Sequence, residues 1–226
     1  MKIIGFGDSF INYSDFDFTY TNLIAKHFNT VFDHRGFAGS GTWDAYFKFE
    51  KFLKNNTPPD VVLFVWSASG RIYHPDIRDL CYNSVVLNPV EPKTPAHKPV
   101  YKAAAEYYKY LHHINKTDME HTCLYHWIDT VLVPRYPNTK FIHMTSFPAR
   151  SCDFGNPNEM EYLHDFTTAV ELRPALIHLS YMDEWPGDLS KEHRTHHMTP
   201  KMHRILADTI IAAIEDYKPG LLNIKL

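Results

Sequence analysis

The sequence predicts a three-layer α/β domain built on a mainly parallel, five-stranded sheet. Three observations carry that prediction. Short apolar segments alternate with helix-period segments along nearly the whole chain. The clearest of them, Asp60 to Trp66, is almost continuously apolar, as a parallel strand covered on both faces requires. No internal repeat or linker divides the 226 residues, so 1–226 reads as one domain with an insertion or helical cap around 76–135.

The elements follow in order. Lys2 to Gly7 is the first strand, and it ends in Gly7-Asp8-Ser9. A small-residue turn there presents a hydroxyl at the strand's C-terminal end, where open α/β sheets collect ligands. Asp8 and Ser9 are also good helix caps, which is the plain alternative. Phe18 to Phe28 has helical spacing, and Thr30 to His34 reads as strand two. Three glycines then fall within six residues (Gly36, Gly39, Gly41), marking backbone that turns sharply or approaches something closely. A helix is predicted over about Thr42 to Asn55, stopped by Pro58-Pro59.

After strand three, residues 76–98 are irregular and proline-bearing, consistent with a lid over the sheet's C-terminal edge. Two helices follow from Val100 to about Val133, broken near Asn115-Lys116-Thr117, where Thr117 to Glu120 has capping-box spacing. Lys140 to Thr145 is strand four. A helix over 159–172, a fifth strand over Leu176 to Ser180 and a last helix from Pro200 to Tyr217 complete the reading.

Composition narrows the function. A net charge of -3 offers no basic footprint for nucleic acid. Cys81, Cys123 and Cys152 are odd in number and far apart, which argues against a disulfide framework or a Cys-rich zinc site. His193, His196, His197 and His203 match no standard zinc spacing. Neither a metal nor another cofactor is expected. Gly5-x-Gly7 is half a dinucleotide fingerprint but lacks the third glycine. No stretch is long enough to span a membrane, and the N-terminal apolar run is too short for a signal peptide. The expectation is a soluble protein, cytoplasmic or otherwise without a signal peptide. His143 and His178 fall inside predicted strands and read as core or crevice residues.

Gly7-Asp8-Ser9 after the first strand, Gly36-Phe37-Ala38-Gly39-Ser40-Gly41 after the second, and His197-Met198-Thr199-Pro200 before the last helix together resemble the SGNH/GDSL hydrolase superfamily. The resemblance covers the order of elements over nearly the whole chain and rests on these three short blocks. It implies a flavodoxin-like sheet and serine-dependent hydrolysis of a small acyl ester or an O-acetylated saccharide. Residue by residue, it implies Ser9 as nucleophile, His197 as base and Gly39 as an oxyanion donor. Two departures stand out. The family's Gly-x-Asn-Asp block is replaced by Trp66-Ser67-Ala68-Ser69-Gly70-Arg71, and Arg194 stands where an aspartate usually precedes the histidine by three residues.

Acyl transfer from serine needs a base, a group to orient it, and donors facing the oxyanion. Glu192 is the candidate orienter, with a backbone carbonyl as the alternative. Ser67, Ser69 and Arg71 are candidates for the missing donor, Arg71 first because a fixed guanidinium can hold an oxyanion or a carboxylate. The departures and a high aromatic content of 15% leave open a second reading, a catalytically inactive SGNH-like carbohydrate-binding or structural module.

Overall fold

A computed structural model describes residues 1–12, 15–77, 80–92, 94–148, 161–182 and 198–225. Its centre is a six-stranded, fully parallel sheet in the order β2-β1-β3-β4-β5-β6. The strands are β1 (Ile3–Gly7), β2 (Phe32–His34), β3 (Val61–Trp66), β4 (Lys140–Thr145), β5 (Val170–Arg173) and β6 (Gly220–Asn223). The helices are α1 (Tyr20–His27), α2 (Thr42–Asn55), α3 (Lys98–Tyr110), α4 (Ile114–Trp127), α5 (Leu176–Tyr181) and α6 (Pro200–Glu215). The first five strands follow the flavodoxin-like order 2-1-3-4-5.

The period-two geometry of a strand explains the three layers. In β3, Val61, Leu63 and Val65 belong to a mainly aliphatic core with Ile24 of α1 and Leu206 and Ile210 of α6. Val62, Phe64 and Trp66 belong to an aromatic-rich core on the other face, with Phe49 of α2 and Leu124 and Tyr125 of α4. Every residue of β3 is buried. A third cluster (Ile77, Leu80, Val85, Ala104 and Tyr108) joins the irregular segment after β3 to α3.

The aromatic layer stacks tightly. His143 of β4 lies 3.8 Å from Phe166, ring centre to ring centre, with an interplanar angle of 4°. The Trp66 indole N–H donates to His143 Nδ1 at 3.0 Å. Burial pushes the His143 imidazole down to about 3.

The structure corrects four sequence expectations. The sheet has six strands rather than five, because Gly220–Asn223 pairs with β5. The described part of the expected 159–172 helix holds no helix. Its end is β5, whose alternation is hidden by a buried ion pair: Arg173 Nε donates to Glu171 Oε1 at 2.8 Å, and Glu171 is only 3% exposed. Pro174, which has no N–H to give a ladder, follows directly. The short apolar run at 176–180 is α5 rather than a strand, an ambiguity that periodicity cannot resolve at that length. The break between α3 and α4 falls at 111–113, and Thr117 lies inside α4 with its hydroxyl on the His113 carbonyl at 3.4 Å, so the capping-box spacing caps nothing.

Candidate active site

The chain places β2 on one side of β1 and β3 on the other, so the strand order reverses between β1 and β3. In open α/β sheets that reversal opens a crevice at the strands' C-terminal ends. The Ser9 turn leaves β1 at this point, and the segment Ser67 to Arg71 leaves β3 beside it.

Asp8, not Ser9, caps the short 3-10 turn Ser9–Ile11. Its Oδ1 accepts the Phe10 N–H at 3.0 Å and the Ser146 hydroxyl at 2.9 Å, and the side chain is fully buried. Ser9 begins the turn and is partly exposed. Burial raises the Asp8 carboxyl above its usual value, while the Arg71 charge and hydrogen bonds from Phe10 and Ser146 oppose the rise. Ser67 lowers it as well, although its buried Oγ has no hydrogen-bond partner among the described residues. Asp8 Oδ2 likewise finds no hydrogen-bond partner among the described residues.

The glycine loop folds onto this turn. Arg35 N–H donates to the Gly5 carbonyl at 2.7 Å and Phe37 N–H to the Gly7 carbonyl at 3.2 Å. A side chain at Gly36 would collide with Ile11 and with the Asp8 carbonyl oxygen, so close backbone approach accounts for that glycine. Gly39 has φ +79° and sits third in a turn closed by Ser40 N–H on the Phe37 carbonyl at 3.1 Å, where an L residue is disfavoured.

Arg71 fastens the third block to the second: its Nη1 donates to the Ser40 carbonyl at 2.9 Å. Its guanidinium carbon lies 5.8 Å from the centre of the Phe147 ring, which packs edge-on against Phe10. The Ser69 hydroxyl donates to Asp118 Oδ1 of α4 at 2.8 Å, and both side chains are buried. Ser69 thus spends its one hydroxyl proton on a carboxylate. Thr42 joins the group by donating to the Ser67 carbonyl at 3.0 Å.

His197 and Glu192 lie outside the described residues. The chain resumes at Met198, which is fully buried, and Thr199 caps α6 by accepting the Met202 N–H at 3.3 Å. Tyr20 links this end to the other. Its hydroxyl donates to the Phe10 carbonyl at 2.8 Å and its N–H to His203 Nδ1 at 3.3 Å. The first turn of α6 is therefore carried next to the serine turn. Arg71 and Ser67 thus act on Asp8, next to Ser9, and Arg71 is tied to Ser40, next to Gly39, while Ser69 turns toward α4.

Sequence reasoning missed Ser146 and Tyr20 as supports of the turn. Ser146 had only a positional signal, the residue after a parallel strand. Beside the crevice lies a cavity of about 260 Å³ that Arg71 helps to line, walled by Trp43, Tyr73, Tyr107 and Tyr108. His34 and His121 are both held below the ordinary histidine value, in each case chiefly by burial.

The fold and site together define a flavodoxin-like α/β protein with a serine-bearing turn at its topological switch point. Neither a protein-family model nor a curated protein matches the chain. Among solved structures, the chain is similar to LAE5, an alpha/beta hydrolase enzyme from the metagenome of Lake Arreo, Spain, at 14% identity over 96% of both chains with a TM-score of 0.46. It is also similar to two variants of Axe2, an acetyl-xylooligosaccharide esterase from Geobacillus Stearmophilus, each at 13% identity over 96% of this chain and 94% of that one, with TM-scores of 0.46 and 0.48.

Proposed function

We propose that the protein is a serine-dependent ester hydrolase acting on a small acyl ester or an O-acetylated saccharide. The observation that carries this reading is the division of labour at the turn. Buried Asp8 does the capping, and Ser9 is left partly exposed at the switch-point crevice.

In this reading Ser9 Oγ attacks the ester carbonyl carbon while His197 takes its proton. The N–H groups of Ser9 and Gly39 face the developing oxyanion. Arg71, with Ser67 beside it, supplies the donor that an asparagine would otherwise give. The tetrahedral intermediate collapses, the C–O bond to the alcohol breaks, and His197 returns the proton to the departing oxygen. Water then cleaves the acyl-Ser9 ester by the same steps. Glu192 orients His197. Removing one oxyanion donor costs roughly 3–4 kcal/mol, so a substituted donor tunes the rate without setting whether the reaction occurs.

The test is turnover of p-nitrophenyl acetate and butyrate by the wild type, Ser9→Ala and His197→Ala, with a fluorophosphonate label located by mass spectrometry. Activity lost in both variants, with the label on Ser9, supports the proposal. Turnover no greater than that of the variants, with no label, overturns it in favour of an inactive carbohydrate-binding module.

A further inference from the structure

The cavity beside the crevice is lined in part by Ser69, Gly70 and Arg71, but most of its wall comes from elements that the serine turn does not use. Trp43 comes from the first turn of α2, Tyr107 and Tyr108 from α3, His112 from the α3–α4 connection, and His121 from α4. The Tyr108 hydroxyl is held at the Gly70 and Leu80 carbonyls, so this residue offers its ring rather than its oxygen. Trp43 and His121 rings lie 6.1 Å apart, centre to centre. The walls are thus mostly flat, apolar ring surface.

Against those walls stands a polar anomaly. His121 is 1% exposed, and its Nδ1 lies 2.8 Å from the Thr117 carbonyl oxygen, which can only accept. Nδ1 therefore carries the proton and Nε2 is a lone-pair acceptor. That Nε2 is buried and has no hydrogen-bond partner among the described residues, and His121 is one of the residues lining the cavity. His112 Nε2, also on the cavity wall, is buried without a partner as well. A buried acceptor left unpaired is costly, so such a group calls for a donor. The Glu120 carboxylate at the rim adds a further acceptor.

We propose that this cavity binds a neutral hydroxylated ring, the saccharide portion of the substrate, with a ring hydroxyl donating to His121 Nε2 and the ring face lying against Trp43 and Tyr107. Aromatic surface and acceptors together suit a ligand with an apolar face and an edge of donors. A purely apolar acyl chain would leave both histidines unpaired, and with Arg71 and Glu120 both in the lining the cavity favours neither ionic sign. At about 260 Å³ the cavity falls just below the usual size of a drug-sized ligand pocket, which fits a ligand of one or two rings. That the ring belongs to an ester substrate rests on the Ser9 reading; that the cavity binds it does not.

The experiment has two parts. Binding of cellobiose, xylobiose and chitobiose to Ser9→Ala is measured by calorimetry, alone and combined with His121→Phe or Tyr107→Ala. Turnover of ethyl acetate, which has no ring to fill the cavity, is measured for the wild type and Ser9→Ala. Tyr107 is half-buried and comes from α3 rather than α4, so its truncation tests the cavity even if His121→Phe fails to fold. The expected result is millimolar or tighter binding of at least one disaccharide, weakened about tenfold or more (1.4 kcal/mol) by either cavity variant. Ethyl acetate turnover by the wild type should be lost in Ser9→Ala. Ser9-dependent turnover without disaccharide binding, or with binding that ignores both cavity variants, overturns the saccharide site and leaves the hydrolase intact. Disaccharide binding lost on cavity substitution, without Ser9-dependent turnover, keeps the site and removes the hydrolase.

Discussion

The Tyr20 hydroxyl donates to the carbonyl oxygen of Phe10 at 2.8 Å, which fixes the turn that carries Ser9 to the start of α1. The same residue's N–H reaches His203, and its ring stacks on the His203 ring at 5.9 Å. Tyr20→Phe keeps the stack and removes the hydroxyl. It should lower unfolding free energy by about 1–2 kcal/mol in urea, the usual effect of losing one buried hydrogen bond. Ester turnover should fall mainly in kcat, because the loss disturbs the relation between the turn and α6 rather than a substrate contact. An unchanged urea midpoint would show that the bond is not holding the turn.

Ser146 and Asp8 make the second test. Ser146→Ala withdraws a donor from a fully buried carboxylate and should destabilise the fold by about 1–3 kcal/mol in urea unfolding.

The pH dependence of Asp8 has a definite sign. Burial raises its folded-state value above 3.8, so the folded state holds this proton more tightly than the unfolded state does. Its contribution is complete below about pH 3.8 and is lost as pH rises through the raised value. Asp8→Asn cannot titrate. The stability of the wild type relative to Asp8→Asn should therefore decline from about pH 3.8 upward, read from urea unfolding across the acid range. A difference that grows with pH would reverse the assignment.

His143 behaves in the opposite way. Its folded value is lowered to about 3 by burial, so between about 3 and 6.5 the unfolded state binds the extra proton. Stability should fall on acidification through that window by up to about 1.4 kcal/mol per pH unit. His143→Phe fits the stack beside Phe166 and should flatten the slope. It should also cost about 1–3 kcal/mol near neutrality, because the Trp66 indole N–H is left without its acceptor. Equal slopes in the two proteins would place the acid sensitivity elsewhere.

Gly39→Ala places a side chain at φ +79°, a cost of about 1–2 kcal/mol. If the turn relaxes to avoid that cost, the N–H assigned to the oxyanion moves. A drop in kcat of about tenfold or more, with KM held within about threefold, is the expected outcome of steady-state kinetics. Unaltered kcat would remove Gly39 from the proposed oxyanion site.

What the sequence makes legible divides along physical lines. β3 is plain because an unbroken apolar run of six residues has one good solution in a covered parallel sheet. The positions of Ser9, Gly36 and Gly39 are plain because a small-residue turn and a glycine loop constrain the backbone locally. β5 is hidden because Glu171 and Arg173 put charges into a buried strand, and those charges neutralise one another only once the strand has formed. Ser146 is hidden for a related reason: its proximity to Asp8 comes from the register of β3 with β4 and appears in no local pattern. The Ser69–Asp118 contact joins residues 49 apart through the packing of α4 and has no local signature either.

The unequal character of the two layers that β3 separates bears on how this protein could be engineered. On the α1 and α6 side, branched aliphatic side chains such as Val65, Leu206 and Ile210 can exchange volume with one another. On the α2 and α4 side, Phe64, Trp66, His143 and Phe166 form a ring stack with fixed planes, and the loop from Ser67 to Arg71 springs directly from it. A random mutant library should accordingly show lopsided tolerance. Replacements should accumulate in the aliphatic layer, while the aromatic layer, which sets the footing of the Arg71 loop, should stay nearly invariant among active clones.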